Sequence, residues 1–162
     1  MVPSRVGNRQ GHRRPCSTSA NLAMITIGRT PTNREKAVGI KLLAVAIGGG
    51  LGSSVRYFTS SAAYRLFGLD FPVGTLAVNL AGCLLIGIAF SLAENRGMMG
   101  PATRLFVMTG FLGGLTTFST FALETVDYAH MSSLGIAAVN VIVSNVGGLG
   151  AVVFGVWLGR AF

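Results

Sequence analysis

Three stretches of this chain, 71–93, 105–123 and 131–159, contain no Asp, Glu, Lys or Arg, and a fourth apolar stretch, 39–63, is interrupted by Arg56. A helix needs about 20 predominantly apolar residues to cross the hydrocarbon core of a bilayer. All four stretches qualify. The expected fold is therefore an all-α membrane protein with four transmembrane helices. The connectors YRLFGLD (64–70) and ENRGMMGPATR (94–104) are short, which places consecutive helices side by side and antiparallel. Pro72 and Pro101 stand near helix starts, where the missing N–H costs little.

Composition agrees with lipid as the solvent. Only 11% of residues are charged, against about a quarter in a soluble domain. The net charge of +8 would raise nucleic acid as a partner, but its distribution argues otherwise. Arg5, Arg9, Arg13, Arg14, Arg29, Arg34, Lys36 and Lys41 hold most of it, with Glu35 as the one acid among them; beyond Leu42 the charges nearly cancel. The basic character belongs to a tail over 1–38, polar, without an apolar periodicity, and expected to be disordered; Met24 is a plausible alternative start. The four-helix domain is expected over 39–160. No nucleic acid is expected to bind. Cys16 and Cys83 have no metal-like spacing and no reason to pair, and each reads as a small hydrophobe.

Small residues recur at helical spacing. Gly48 and Gly52 are four apart on the first helix, and Gly147, Ala151, Gly155 and Gly159 form a ladder on the last. Such faces let helix backbones approach closely in a membrane. Four helices leave little room for a pore within one chain, so an oligomer is expected.

Polar groups inside the spans need a reason. Arg56 either snorkels to the nearer interface or projects into a cavity from the Gly48/Gly52 face, where an intramembrane charge is functional. Asn79 is either interhelical glue or an amide lining an anion path. Asn140 and Ser144 share a face of the fourth helix, as a hydrogen-bonding pair or a pore wall. GFLGGLTTFSTFALE (110–124) is the most specific stretch. Gly113 and Gly114 can leave helical dihedrals at small cost, and backbone exposed at membrane depth is tolerated only where it is buried or lines a cavity. Unwound carbonyls there can hold a cation. Phe118 and Phe121 share a face beyond the break; they either pack or present their partially positive edges to a small anion. Glu94, Glu124, Asp127 and His130 fall at segment boundaries, which weakens a proton-relay pump, and no nucleophile–base pair supports an enzyme.

GGGLGSSVRY (48–57), GTLAVNLAGCLLIG (74–87) and GFLGGLTTFSTFALE resemble, in order and spacing, the three signature blocks of the Fluc/CrcB fluoride channels. The resemblance covers about 39–160. It implies an antiparallel, dual-topology homodimer in the cell inner membrane or plasma membrane, with two fluoride pores along the subunit interface. On that basis Asn79 is the pore-lining amide, Phe118 and Phe121 supply ring edges to fluoride, and Thr116, Thr117, Ser119, Thr120 and Ser144 contribute hydroxyls. A structural Na+ is implied at the dimer centre, held by the backbone carbonyls of Gly113 and Thr116, and Arg56 is implied near a pore vestibule. The family's fourth helix often carries a pore-facing Tyr where this chain has Asn140. Arg96, Arg104, Arg160 and the tail fall on one side against Arg65 on the other, so the positive-inside rule places the N-terminus inside. That bias admits a heterodimer with an oppositely oriented paralogue beside the homodimer. A membrane scaffold and a coupled anion transporter are the rival functions.

Overall fold

The computed structural model describes residues 32–68, 71–95, 97–131 and 133–161. The expected tail therefore lies outside the described residues over 1–31. Helix α1 (Asn33–Phe67) begins six residues before the expected boundary at 39, because Thr32 and Glu35 form a capping box. The Glu35 N–H donates to Thr32 Oγ1 (3.3 Å) and the Thr32 N–H to Glu35 Oε2 (2.6 Å), which satisfies two backbone donors that a helix start leaves open. Its 35 residues extend about 52 Å at 1.5 Å per residue, well beyond a hydrocarbon core of about 30 Å. Gly68, at φ 77°, ends it in a conformation that favours glycine.

Helix α2 (Val73–Asn95) follows buried Pro72, whose carbonyl accepts the Leu76 N–H. The third span is two helices. The first, α3 (101–115), opens on Pro101–Arg104, widens into a π-helical stretch over Leu105–Leu112 and closes with Gly113–Leu115. The second, α4 (Phe118–His130), follows two extended residues. Helix α5 (Leu134–Ala161) contains a second π-helical turn at Val143–Gly147. Among the described residues, four helical stretches are long and apolar enough to cross a membrane, the third being Pro101–His130 across its break. The chain is a multi-pass membrane protein.

The closest packing joins alternate spans rather than consecutive ones, contrary to what the short connectors suggest. Glycine is the reason. A Cβ on Gly48 would stand 2.5 Å from the Phe106 carbonyl oxygen, and one on Gly52 would collide with the Phe111 carbonyl oxygen. Across the contact, Gly110 and Gly114 meet the Val45 and Gly49 carbonyls at 2.9 and 2.6 Å in the same sense. The pairing advances along both helices together, so α1 and α3 run parallel at backbone contact. Helices α2 and α5 repeat the device: Gly87 faces Val152, Gly155 faces Leu84, and Gly159 faces Ile88 and Ser91. Gly147 and Ala151, expected in the same ladder, are only half-buried.

With backbones this close, few large side chains are enclosed. Val78, Ala89, Leu112 and Leu115 make the core, while Phe58, Leu66, Leu149 and Val153 are exposed. Lipid is as apolar as these side chains, so interhelical contact in a membrane rests on dispersion and close approach rather than on burial from water. Gly52→Leu and Gly155→Leu are accordingly expected to destabilise the folded protein by at least the 1–3 kcal/mol typical of overpacking. Gly50, with nothing within 4 Å of its Cβ position, is expected to accept Ala within about 0.5 kcal/mol. Denaturation in detergent micelles, compared across the three variants, checks both.

Candidate functional site

The break in the third span is where the polar groups gather. Thr116 (φ −83°, ψ 153°) and Thr117 (φ −148°, ψ 116°) are extended, whereas Gly113 is helical at φ −65°, ψ −33°. The expectation that Gly113 and Gly114 would leave helical dihedrals is thus corrected. Gly114 serves close approach to Gly49 instead, and the helix ends at Leu115, directly after the glycine pair.

An extended residue at membrane depth leaves backbone groups open, and Asn79 of α2 closes them. Its Oδ1 accepts the Thr117 N–H (2.7 Å) and its Nδ2 donates to the Thr117 carbonyl (3.1 Å). The two bonds read the backbone of one residue as a strand would. Thr116 turns its hydroxyl back onto the Leu112 carbonyl (3.0 Å), and its methyl lies against Gly82, where a Cβ would collide. Thr117 then caps α4: its Oγ1 accepts the Thr120 N–H (3.3 Å) and lies 3.0 Å from Thr120 Oγ1 and 3.3 Å from Ser119 Oγ. A hydroxyl bonded to the third backbone N–H is a standard helix start.

These bonds free two carbonyls. In a continuous helix the Gly113 oxygen would accept the Thr117 N–H and the Thr116 oxygen the Thr120 N–H. Those donors go to Asn79 and to Thr117 Oγ1 instead. Two carbonyl oxygens deprived of their helical donors in one short segment are the donor chemistry a hard monovalent cation takes. No three His, Cys, Asp or Glu side chains converge among the described residues, so the donors gathered here are neutral oxygens.

A cavity of about 290 Å³ opens beside the break. Asn79, Gly82 and Cys83 line it from α2, Thr116, Thr117, Phe118 and Phe121 from the broken span, and Ser144 and Asn145 from α5. The Phe118 and Phe121 rings lie 5.5 Å apart, tilted by 53°. Phe121 is buried, while Phe118 is 76% exposed on this single chain.

The sequence-predicted residues divide accordingly. Asn79, Thr116, Thr117, Phe118, Phe121, Ser144 and Gly113 meet in one cavity wall. Ser119 and Thr120 are not part of that wall; both are tied to Thr117. Asn140 does not line the cavity. It is 1% exposed, gives its Nδ2 to Thr125 Oγ1 (2.8 Å) and accepts the Ser144 hydroxyl (3.3 Å), so it joins α4 to α5. Arg56 is half-buried on α1, away from the cavity lining, and among the described residues makes no ion pair.

Two features escaped sequence reasoning. Helix α4 runs on past Leu123 to His130, so Glu124 lies within the third span rather than at its edge. Its Oε1 accepts the Tyr64 hydroxyl of α1 and the Thr75 hydroxyl of α2, and its Oε2 is buried with no hydrogen-bond partner among the described residues. The signal was the spacing Phe121, Glu124, Thr125 and Tyr128 on one helical face. Asn145 is the second: it follows Ser144 directly, and both line the cavity.

A short helical membrane protein, with a third span broken inside the bilayer and a polar and aromatic cavity at the break, is the class these features define. The chain belongs to the CrcB family: residues 43–156 match the family described as "CrcB-like protein, Camphor Resistance (CrcB)". It is 45% identical over 121 residues to the "Fluoride-specific ion channel FluC" of Geobacter sp. (strain M21), covering 75% of this chain and 98% of that one. Identity is 43% to the protein of the same name from Agrobacterium fabrum (75% and 97% covered). It is 41% to that of Chloroflexus aurantiacus strain J-10-fl (75% and 96% covered).

The clamp on Thr117 has a measurable weight. Asn79→Ala strands a buried N–H and a carbonyl, each costing about 1–3 kcal/mol. Asn79→Asp keeps the acceptor but sets a carboxylate oxygen against the Thr117 carbonyl, where an unpaired charge is costly. Chemical denaturation in micelles is expected to place both variants below wild type; equal midpoints would remove the clamp from the account.

Proposed function

We propose that this protein is a fluoride-selective channel through which fluoride leaves the cytoplasm down its electrochemical gradient, lowering fluoride toxicity. The observation that carries the proposal is the cavity at the broken third span, which joins Asn79, the hydroxyl-bearing Thr117 cap and the Phe118–Phe121 pair. The relatives named as fluoride-specific channels, matched over nearly their whole length, support it.

Fluoride holds its water tightly, so a selective path must offer hydrogen-bond donors and positive ring edges in place of hydration. Asn79 spends one amide hydrogen on the Thr117 carbonyl and keeps the second, since an amide carries two. Phe118 and Phe121 present edges of partial positive charge without a fixed countercharge, which favours a small anion without trapping it. Fluoride enters cells as the neutral acid and ionises in a more alkaline cytoplasm, so a passive exit suffices. Glu124 is one carboxylate held by two hydroxyl donors, not a chain of titratable groups, and this supports a channel over a proton-coupled transporter.

The assembly belongs to the same proposal. Two copies pair antiparallel in the cell inner membrane or plasma membrane, covering the exposed Phe118 and completing each pore. A partner paralogue in place of the second copy remains the alternative that the basic bias of one side supports. The freed carbonyls of Gly113 and Thr116 would hold a structural Na+ where the copies meet, supplying fixed positive charge at the interface. Arg56 would draw anions toward a vestibule.

Proteoliposomes loaded with potassium fluoride or potassium chloride and opened with a potassium ionophore test the function. Fluoride is expected to leave rapidly while chloride stays at the protein-free rate; equal loss of both sinks the selectivity. Phe118→Ile is expected to slow fluoride roughly fivefold, the rate equivalent of about 1 kcal/mol of ring-edge interaction.

A further inference from the structure

The hydroxyls and amides around the cavity can be sorted by which hydrogens they have left to give. Thr116 gives its hydroxyl hydrogen to the Leu112 carbonyl, and Ser144 gives its own to Asn140 Oδ1. Thr117, Ser119 and Thr120 spend two of their three hydroxyl hydrogens on one another, leaving one on the broken span. An anion needs donors, and by this sorting the α5 wall offers none through Ser144. Asn145 supplies what Ser144 cannot. Its Nδ2 donates one hydrogen to the Val141 carbonyl four residues back, at 2.7 Å, and the amide retains a second at a side chain that lines the cavity.

Consecutive side chains on a helix point about 100° apart, so Ser144 and Asn145 line the cavity from adjoining faces of α5. Both lie inside the π-helical turn Val143–Gly147, and turns of this kind inside α-helices recur at functional sites. Just beyond, Gly147 and Gly148 let α5 lean on α2 beside Leu80 and Cys83, with Cβ positions 3.1 and 3.5 Å from those side chains. The wall carrying Asn145 is thereby held next to the helix carrying Asn79.

We infer that Asn145 is a second anion-binding amide, which donates its uncommitted N–H to the permeating ion from the α5 wall as Asn79 does from α2. Each amide uses one hydrogen to fix itself on a backbone carbonyl and presents the other. The inference rests on the fluoride-channel assignment and adds a specificity-determining residue to it.

Fluoride efflux from proteoliposomes, at a protein density low enough that some vesicles hold one assembly and others none, tests it. The initial rate reports permeation, and the fraction of fluoride released reports how many assemblies formed. Asn145→Ala is expected to lower the rate about tenfold with the released fraction unchanged, the size expected for losing one hydrogen bond to a charged group. Asn145→Asp, of the same shape but without amide donors and with negative charge, is expected to fall further, and Asn145→Gln to recover part of the rate. Wild-type rates in both the Ala and Asp variants overturn the inference, as does a fall in released fraction at unchanged rate, which marks a structural role. If the wild-type protein releases no fluoride, the functional assignment fails and the inference with it; wild-type flux with an unaffected Asn145→Ala variant overturns the inference alone.

Discussion

The structure turns on one side chain completing the backbone of another element. A span broken inside a bilayer must have its open N–H and C=O groups satisfied within the protein, since lipid offers nothing in exchange. Asn79 meets that demand for Thr117 with a pair of hydrogen bonds. Everything at the site follows from that pair. With Thr117 held extended, its hydroxyl caps α4, Phe118 and Phe121 open the next helix on the cavity side, and the Gly113 and Thr116 carbonyls are left without helical donors. The residue that resemblance assigns to the ion is first of all the residue that keeps the break intact.

Glycine makes the rest of the frame possible. Parallel pairs α1/α3 and α2/α5 meet at backbone contact through Gly48, Gly52, Gly110 and Gly114 on one side and Gly87, Gly155 and Gly159 on the other. Such contacts enclose few large side chains and leave most apolar surface outward, as suits a protein whose solvent is lipid. A further glycine sets the height of the break relative to α2. Gly82 admits the Thr116 methyl one turn below Asn79, so the amide and its target backbone arrive at the same level.

Much of this was legible in the residues. Apolar runs, three of them charge-free, marked four spans, small-residue spacing marked the faces in contact, and the cluster of hydroxyls and rings after a glycine pair marked the site. What stayed hidden depended on partners distant in sequence or on small changes of helix pitch. The break falls at Thr116 and Thr117 rather than at Gly113 because Asn79, 38 residues away, supplies the replacement bonds. Glu124 read as a boundary because a charge usually ends an apolar segment, yet Tyr64 and Thr75 receive it inside the helix. The Asn140–Ser144 spacing admitted a hydrogen-bonding pair or a pore wall, and Thr125 decides for the former by drawing Asn140 into the α4/α5 contact. Asn145 stood beside the Asn140–Ser144 stripe rather than on it, inside the π turn Val143–Gly147.

The central claim is that the cavity at the break is the path of the ion. Cys83 lines that cavity and no disulfide engages it, so its thiol is a built-in reporter. In protein carrying Cys16→Ser, a small methanethiosulfonate reagent is expected to attach at Cys83 and stop fluoride efflux from proteoliposomes, while the further change Cys83→Ala preserves efflux and abolishes the block. Complete attachment at Cys83 by mass spectrometry, with efflux unchanged, would contradict the claim.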